Sequence, residues 1–422
     1  MKRILQLGAI SIANLASMIL FQWLLITKLG ASVESDALFA AMTIPQLFAS
    51  VIAASLTSIV APLLTGENSA EQRVDAWSLI AITSAIFTGM TILLILLAPW
   101  WTGWIAPGFS VSAKALLLHY SRINILVIIF AGFNAIQIGL AYARNQFQWV
   151  EFSAFIANLI AILLALFFVR DGDGILASWI LVARAVLTSI LLLKVTDAPA
   201  RPDFSRPFIK QAWSKLKPVL IGGSYYKMDP VVDRILLSSL PAGSLSLFYI
   251  AQQILSAGSQ VFAKVIATPT ITKLAYAFKS GDETEYSRIY RHNMLLILGL
   301  STCGLIAGIG FIYLLLPYFE SVGNFSVADA QYIVMILTLA GGMMVAGAGG
   351  SLVAGAYYAR GDTKTPTIIG SISFTIGIGL KIVTFRLFGL EGLAIGVSIY
   401  YTTSLILQGL YLRRRNGVSP AS

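Results

Sequence analysis

The sequence contains few charged residues: Asp, Glu, Lys and Arg together make up 11% of its 422 residues, whereas soluble domains carry about 25%. Hydrophobic residues account for 57% of the chain, and the mean hydropathy is +0.81. This composition is not that of a soluble enzyme or a soluble binding module. It indicates a polytopic membrane protein.

Residues that build catalytic and metal centres are also scarce. Cys303 is the single cysteine, which excludes a disulfide within the chain and a metal site with several thiolates. The two histidines, His119 and His292, lie far apart in the sequence, so interfacial hydrogen bonding is the simpler interpretation of both. Walker, nucleophile-elbow and metal-ligand motifs are missing from the sequence. We therefore expect no enzymatic activity, no metal centre and no cofactor other than a coupling ion.

Proline, glycine and charged clusters divide the sequence into twelve apolar stretches. Each is close to the roughly 20 residues that a membrane-spanning helix needs. The predicted spans are 4–28, 37–63, 76–99, 115–140, 150–169, 175–195, 217–240, 244–271, 293–316, 331–358, 366–388 and 391–412. The predicted fold is an all-α integral membrane protein with two parallel-related lobes of six helices each.

A hexapeptide pattern, Gly-x-x-Tyr-Ala-Arg, occurs twice. It ends at Arg144 and again at Arg360, 216 positions later. Several shorter matches follow in the same order at nearly the same spacing: Phe109-Ser110-Val111 with Phe325-Ser326-Val327, Gly66 and Arg73 with Gly281 and Arg288, and Gly174 with Gly392. Ordered matches at one spacing indicate a duplication, which is common in membrane transporters. We predict an N-terminal lobe at 1–195, a cytoplasmic linker at 196–216 and a C-terminal lobe at 217–422.

The number of spans and the distribution of basic residues predict the topology. An even number of spans returns the chain to the same side, so the two repeats are parallel, and the substrate route is expected between them. Lys and Arg concentrate in the loops that would face inward, while the opposite loops hold only Lys28, Lys114, Arg170 and Arg386. The positive-inside rule then places both termini in the cytoplasm. The net charge of +10 reflects this topology, and we expect no nucleic-acid partner.

The predicted linker ends in a pattern that is typical of a short amphipathic helix. Phe204, Phe208 and Ala212 recur every four residues, and basic residues lie between them. Such a helix can lie on the anionic inner leaflet. The alternative is a docked connector that holds the two lobes together without a preference for lipid.

The seventh span carries a cluster of charges. Lys227 and Arg234 are seven residues apart and share one face of a helix, while Asp229 and Asp233 share a neighbouring face. Pro230 removes a backbone donor between them, so we predict a kink beside the cluster. Charged side chains within a membrane normally face a cavity or an internal partner. The cluster is predicted to line a water-filled cavity, and internal pairing is the alternative.

Isolated charges occur in other spans: Asp36, Arg122, Arg184, Lys264 and Lys381. Basic residues outnumber acids in the spans, and a surplus of buried positive charge favours an anionic substrate such as a phosphate or a diphosphate. In the alternative interpretation, Arg122 and Asp36 lie near an interface and their side chains snorkel toward water.

Four further motifs are Ser35-Asp36-Ala37-Leu38-Phe39 with Ile44-Pro45, Ala106-Pro107-Gly108-Phe109, Leu240-Pro241-Ala242-Gly243-Ser244, and Ala359-Arg360-Gly361-Asp362-Thr363-Lys364-Thr365-Pro366. With them the chain resembles the MurJ/MviN-like lipid-linked oligosaccharide flippases of the MOP exporter superfamily. The resemblance implies a transporter of polyprenyl-diphosphate-linked sugars in the bacterial inner membrane, acting by alternating access through a cationic cavity. The residues expected to bind substrate are Lys227, Arg234, Lys264, Asp36 and Arg122.

The chain departs from that family where the resemblance implies arginines. Ala49 and Ser50 stand at the positions of an arginine pair in the second span, and Gln253 replaces another arginine in the eighth. Lys227 and Lys264, together with Arg234 of the seventh span, are the candidates to replace these charges.

Some members of that family couple transport to sodium, and Asp229 and Asp233 are the corresponding candidates here. A proton or the membrane potential is the alternative driver. Arg144 and Arg360 fall at the predicted cytoplasmic ends of the fourth and tenth spans, where a gating or structural role is predicted for them, as for Pro45 and Pro230.

The expected partners are a lipid-linked oligosaccharide and the phospholipid bilayer, and the expected state is a monomer. Two other functions are weighed against the flippase. A MATE-like exporter of small organic cations is expected to have an acidic, aromatic cavity. A membrane glycosyltransferase needs a sizeable loop with a catalytic acid or base, and the predicted outward loops are short.

Overall fold

The computed structural model describes residues 2–64, 69–196, 198–205, 213–214, 225–315 and 324–417. Within these ranges the chain is helical and contains no strand, which confirms the predicted all-α class. The chain forms two compact units, Met1–Ser246 and Leu247–Ser422. The lobe limits predicted from the repeat stay a prediction, and most of the predicted amphipathic helix lies outside the described residues.

The first unit is a bundle in which several predicted spans are broken into shorter helices. Its helices are α1 (Lys2–Leu29), α2 (Val33–Ala41), α3 (Thr43–Phe48), a π-helix (Ala49–Ala53), α4 (Ala54–Leu64), α5 (Ser69–Leu96), α6 (Ala98–Ile105), α7 (Val111–Asn124), α8 (Val127–Ala143), α9 (Phe147–Phe168), α10 (Gly174–Thr196), a 3-10 helix (Tyr226–Met228) and α11 (Asp229–Leu237). α1 packs along α9, and α8 packs against α4, α5 and α10. The buried side chains of Val60, Ile136 and Leu140 belong to the core that these helices share.

The second unit is built around a helix rich in glycine. Its helices are α12 (Ser244–Phe262), which begins in the first unit, a π-helix (Ala263–Ala267), α13 (Thr268–Lys279), α14 (Glu283–Leu315), α15 (Val327–Leu339), α16 (Gly342–Ala359) and α17 (Lys364–Gly417). α16 packs against α13, α14 and α17. Its buried residues Leu352, Ala356 and Tyr357 form part of the core of this unit.

Among the described residues, eight helices are long and apolar enough to cross a membrane, or nine if the bent pair α15 and α16 is one span. Six of them correspond to the first six predicted spans. The eleventh and twelfth predicted spans form the single element α17, which is interrupted at Gly389 (φ 59, ψ −130). The predicted number of twelve is therefore approximate, because the seventh and eighth spans lie in shorter helical pieces or partly outside the described ranges.

The duplication is visible in the backbone. Residues with left-handed φ occur at matched positions: Gly30 (φ 70) with Gly243 (φ 91), Asn145 (φ 57) with Gly361 (φ 75), and Gly172 (φ 80) with Gly389 (φ 59). After both copies of the hexapeptide, a Schellman-type bond closes the helix, from Gln146 N–H to Ala141 O at 2.8 Å and from Asp362 N–H to Tyr357 O at 3.0 Å. The two halves therefore end these helices in the same way.

Two irregular features also recur at the repeat spacing. The π-helices at Ala49–Ala53 and Ala263–Ala267 lie 214 positions apart. Ser110 and Ser326 both cap the N-terminus of a helix, accepting N–H bonds from Ala113 at 3.2 Å and from Asp329 at 3.1 Å. Because π-helices are rare and occur often at functional sites, their recurrence directs attention to the second and eighth predicted spans.

Candidate functional site

A buried carboxylate joins two of the sequence motifs. Asp36 lies in α2 and is 4% exposed. Its two carboxylate oxygens accept backbone N–H groups from Gly243 at 2.8 Å and from Ser246 at 2.7 Å, and the Ser35 hydroxyl donates to Ser246 Oγ at 3.0 Å. Asp36 thus satisfies amides at the start of α12, which have no partners within the helix. The structure gives this predicted substrate residue a clear role in positioning a helix.

Close backbone contacts at two glycines join a third sequence motif to these two. A Cβ on Gly243 would lie 2.7 Å from the carbonyl oxygen of Ala31, and a Cβ on Gly108 would lie 2.6 Å from Ser239 Cα. The Gly108 N–H donates to Ser238 Oγ at 3.1 Å. The motifs that contain Asp36, Gly108 and Gly243 therefore form one packed junction, here called the α2–α12 junction.

The described part of the seventh predicted span begins with a 3-10 turn. Lys227 lies in this turn and is half-buried, and its Nζ donates to the carbonyl oxygen of Ser50. Ser50 belongs to the first π-helix and is exposed. Pro230 follows in the first turn of α11, where a proline removes no hydrogen bond within the helix, and the kink predicted beside the cluster stays a prediction. The contact places the Lys227 ammonium at the position in the second span where the family resemblance implies an arginine pair.

The other charges of the cluster are enclosed. Arg234 is 2% exposed, Asp233 is fully buried and Asp229 is 8% exposed. Although Lys227 and Arg234 share a helical face in sequence, only Lys227 keeps access to the surroundings. Arg234, Asp229 and Asp233 thus hold charge within the protein, and Lys227 is the member of the cluster that is only half-buried.

Two other predicted substrate residues are exposed. Lys264 lies in the second π-helix, where it occupies the position that corresponds to Ser50 in the first. Arg122 lies in the last turn of α7, close to the break between α7 and α8. Each cation lies seven residues inside an end of its predicted span, Arg122 within 115–140 and Lys264 within 244–271. A cation at such a depth normally faces a polar cavity, because lipid does not solvate it.

The first repeated arginine links the ends of several helices. Arg144 Nε donates to Gln72 Oε1 at 2.8 Å, and its Nη1 donates to the carbonyl oxygen of Val195 at 2.7 Å. Gln72 in turn donates to the carbonyl oxygen of Leu64 at 2.8 Å. The side chain therefore connects the ends of α4, α5, α8 and α10 at the predicted cytoplasmic side.

The second repeated arginine has different partners. Arg360 forms an ion pair with Glu283 at 2.5 Å, and its guanidinium carbon lies 4.3 Å from the ring centroid of Tyr286. The Tyr286 hydroxyl donates to the carbonyl oxygen of Ala356 at 2.7 Å. Both arginines hold helix ends within their own unit, which favours the structural side of the predicted role. Pro45 is buried in α3 next to the break at Met42, and its gating or structural role stays a prediction.

We expect Arg144→Lys to destabilise the folded protein by about 1.5–3 kcal/mol, since charge-assisted hydrogen bonds contribute this much and one ammonium cannot reproduce the guanidinium fork. Thermal unfolding of the purified protein in detergent measures the change. Arg170→Lys, at an exposed position after α9, is the matched control and is expected to leave the transition unchanged. Equal transitions for the two variants would contradict the role given to Arg144.

A polar network in the first unit was not predicted from the sequence. Asn14 Nδ2 donates to Glu151 Oε2 at 2.9 Å, Asn158 Nδ2 donates to Asn14 Oδ1 at 2.9 Å, and Arg184 Nη1 donates to Asn158 Oδ1 at 3.1 Å. The Arg184 guanidinium also lies 5.5 Å from the ring centroid of Phe21. Arg184 therefore has internal partners on α1 and α9. The seven-residue spacing of Glu151 and Asn158 was the available signal, since it places both on one face of α9.

The second unit also encloses a charge. Lys381 in α17 is fully buried, and its Nζ lies 5.5 Å from the ring centroid of Tyr400. Tyr400 in turn makes an edge contact with Phe374. An aromatic ring thus lies beside the buried Lys381 ammonium.

Comparisons with known proteins agree with these observations. The model of the family described as lipid II flippase MurJ matches residues 25–422. The chain is 22% identical to "Lipid II flippase MurJ" of Burkholderia cenocepacia, over 93% of this chain and 80% of that protein. It is 23% identical to "Probable lipid II flippase MurJ" of Bdellovibrio bacteriovorus, over 91% of this chain and 77% of that protein.

Two solved structures share the fold. One is described as lipid II flippase MurJ in an inward closed conformation, with a TM-score of 0.79 and 20% identity over 96% of this chain and 87% of that one. The other is an inward-facing multidrug resistance MATE family transporter of the MOP superfamily, with a TM-score of 0.76 and 15% identity over 97% of this chain and 94% of that one. These similarities confirm the fold predicted from the sequence.

Proposed function

The chain belongs to the lipid II flippase MurJ family, and from that premise we propose that it moves a polyprenyl-diphosphate-linked saccharide across the bacterial inner membrane by alternating access. Membership of this family makes the protein a multi-pass membrane transporter and not an enzyme, which confirms both predictions. The nature of the saccharide, the cytoplasmic location of both termini and the monomeric state belong to the proposal.

The position of Lys227 is the observation that supports this proposal most directly. Its ammonium contacts the Ser50 carbonyl in the first π-helix, beside Ala49 and Ser50, where the resemblance implies two arginines. The positive charge that a diphosphate needs is therefore provided by the seventh predicted span in place of the second. A cation on a long, flexible side chain can pair with phosphate oxygens as a point charge.

Lys264 and Arg122 support an anionic substrate in the same way. Both are exposed and lie inside predicted spans, where a charged side chain normally faces a polar cavity or a partner. Lys264 occupies in the second π-helix the position that Ser50 occupies in the first, so each π-helix has a lysine beside it. We propose that Lys227 and Arg122 of the first unit contact the diphosphate, and that Asp36 and Arg234 position helices of that unit. The assignment of Lys264, in the second unit, to the substrate stays a prediction.

Because the fold is similar to that of a MATE family transporter, the export of small organic cations is the second candidate function. The exposed cations argue against it, since a cationic substrate is repelled by Lys227, Lys264 and Arg122. The enclosed carboxylates Asp229 and Asp233 have little exposed surface for such a substrate to contact.

Flipping is tested with the purified full chain in liposomes that contain fluorescent lipid II. We expect the protein to expose inner-leaflet lipid II to a membrane-impermeant quencher faster than protein-free liposomes do, and excess undecaprenyl diphosphate to slow this exposure by competition. A rate equal to that of protein-free liposomes, together with uptake of a cationic dye, would favour the MATE-like function instead.

The same liposomes separate the possible driving forces. Asp229 and Asp233 lie on α11 with one turn between them, a spacing that allows both to face one cation. We propose that they take up the coupling ion. Sodium, proton and potential gradients are imposed one at a time, and acceleration by potential alone would remove the need for an ion site.

A further inference from the structure

A cavity of about 610 Å³ lies in the second unit, between the N-terminal part of α14 and the C-terminal part of α17. It is lined by Ser287, Tyr290, Arg291, Met294, Leu295, Ile406, Gly409, Leu410, Leu412 and Arg413. The α14 and α17 ends that meet here are both at the predicted cytoplasmic side. Nothing in the proposed transport mechanism uses this cavity.

The lining has a polar end and an apolar end. Arg291 and Arg413 are exposed, and no acidic side chain is among the described residues that line the cavity. Met294, Leu295 and Leu410 continue the wall away from these guanidinium groups, and Leu295 is 69% exposed. The nearest acid along α14 is Glu285, which is paired with Arg288 at 2.7 Å. A ligand that fits this wall has an anionic head and an apolar body.

Gly409 keeps the cavity open. A Cβ at this position would have a single neighbour within 4 Å, the Tyr290 hydroxyl at 3.9 Å. A larger side chain can therefore be accommodated by the fold, and it would extend into the cavity. The position offers a way to fill the site without changing its charge.

The corresponding place in the first half is closed. With the spacing that relates Arg73 to Arg288, Arg291 corresponds to Ala76, which is fully buried. The neighbouring Trp77 donates from its indole N–H to the carbonyl oxygen of Thr196 at 3.3 Å, joining α5 to the end of α10. The arginine at this place is thus specific to the second half and is not a consequence of the repeated fold.

We propose that this cavity binds an anionic glycerophospholipid of the inner leaflet. The guanidinium groups of Arg291 and Arg413 pair with its phosphate, and an acyl chain follows the exposed leucines of α14, which include Leu296 and Leu300. Basic pockets between membrane helices on the cytoplasmic side are suited to such headgroups. The exposed apolar wall favours a membrane lipid over free phosphate, and a cavity of this volume holds a glycerophosphate head more readily than an oligosaccharide.

The test is a titration of the purified full chain with dioleoyl phosphatidylglycerol and with dioleoyl phosphatidylcholine, followed by native mass spectrometry. We expect phosphatidylglycerol to bind more tightly than phosphatidylcholine. The double variant Arg291→Gln/Arg413→Gln is expected to bind phosphatidylglycerol roughly 30-fold more weakly, from two basic residues near an anionic lipid. Arg288→Gln, one turn away and outside the cavity, is the matched control and is expected to bind as the wild type does.

A second variant keeps the proposal testable if the double variant does not fold. Gly409→Leu fills the cavity with both arginines in place, and it is expected to weaken binding of phosphatidylglycerol at least tenfold. Equal binding of the two phospholipids, or unchanged binding by both variants, would overturn the proposal. Displacement by inorganic phosphate would show a site for the anion alone, and tighter binding of undecaprenyl diphosphate that depends on Arg291 would show a site for the transported lipid. Either result would also overturn it.

Discussion

Replacing Asp36 with alanine is expected to destabilise the folded protein by about 3 kcal/mol or more. The carboxylate accepts the N–H groups of Gly243 and Ser246, and its removal leaves two enclosed amides without an acceptor. Water cannot replace it, because the site is almost fully buried. We expect a lower thermal transition in detergent and a loss of lipid flipping.

The variant Asp36→Asn tests whether the junction needs both carboxylate oxygens or only a side chain of this size. An asparagine side chain offers one acceptor oxygen, and its NH₂ group would face the second backbone N–H. We therefore expect Asp36→Asn to be nearly as unstable as Asp36→Ala. Glu34→Gln on the same helix is the matched control, since the capping bonds of α2 use the side chains of Ser32 and Ser35. A stable Asp36→Asn protein that no longer binds substrate would instead support the direct contact predicted from the sequence.

Replacing Lys227 with alanine is expected to lower the rate of lipid II flipping about 10- to 100-fold, which corresponds to the loss of one charge-assisted contact to a phosphate. Lys227 is half-buried and its nearest identified acceptor is a backbone carbonyl on an exposed turn. Its removal therefore leaves no buried acid unpaired at this contact. We expect the thermal transition to change little, so that activity and stability separate in this variant.

A second substitution tests whether flipping needs Lys227 itself or only a positive charge at this place. In the double variant Lys227→Ala/Ser50→Arg, the cation returns to the second predicted span, beside the place that the Lys227 ammonium occupies. We expect it to recover most of the lost flipping rate. Lys279→Ala, at an exposed position in the last turn of α13, controls for the general loss of a positive charge. Full activity of Lys227→Ala, or no recovery with Ser50→Arg, would reject the assignment of Lys227 to the substrate.

Much of the architecture could be predicted because its causes are local in sequence. The low charge content and the apolar stretches indicate the class, and the two copies that end at Arg144 and Arg360 indicate the duplication. The left-handed residues that end these helices, Asn145 and Gly361, are direct consequences of that repeated sequence. The break of span two at Met42 and the π-helix after it carry no comparable signal, because packing against other helices decides them.

The site was predicted only in part, because its contacts join residues far apart in the chain. The sequence identifies the charged residues and places Lys227 and Arg234 on one helical face. It does not show that Lys227 is half-buried and Arg234 is enclosed. The resemblance assigns Asp36 to the substrate, whereas the partners that the structure gives it are backbone amides more than 200 positions away. Such amides have no signature in the sequence.

A π-helix holds one residue more than the α-helical turn it replaces, so its recurrence means that both repeats carry an extra residue at the same place. Side chains at equivalent positions do not follow this rule. With the spacing of Gly30 and Gly243, the counterpart of Lys227 is Asn14, which holds Glu151 and Asn158 inside the first unit. The two halves thus share an irregular backbone while equivalent side chains in them have different partners.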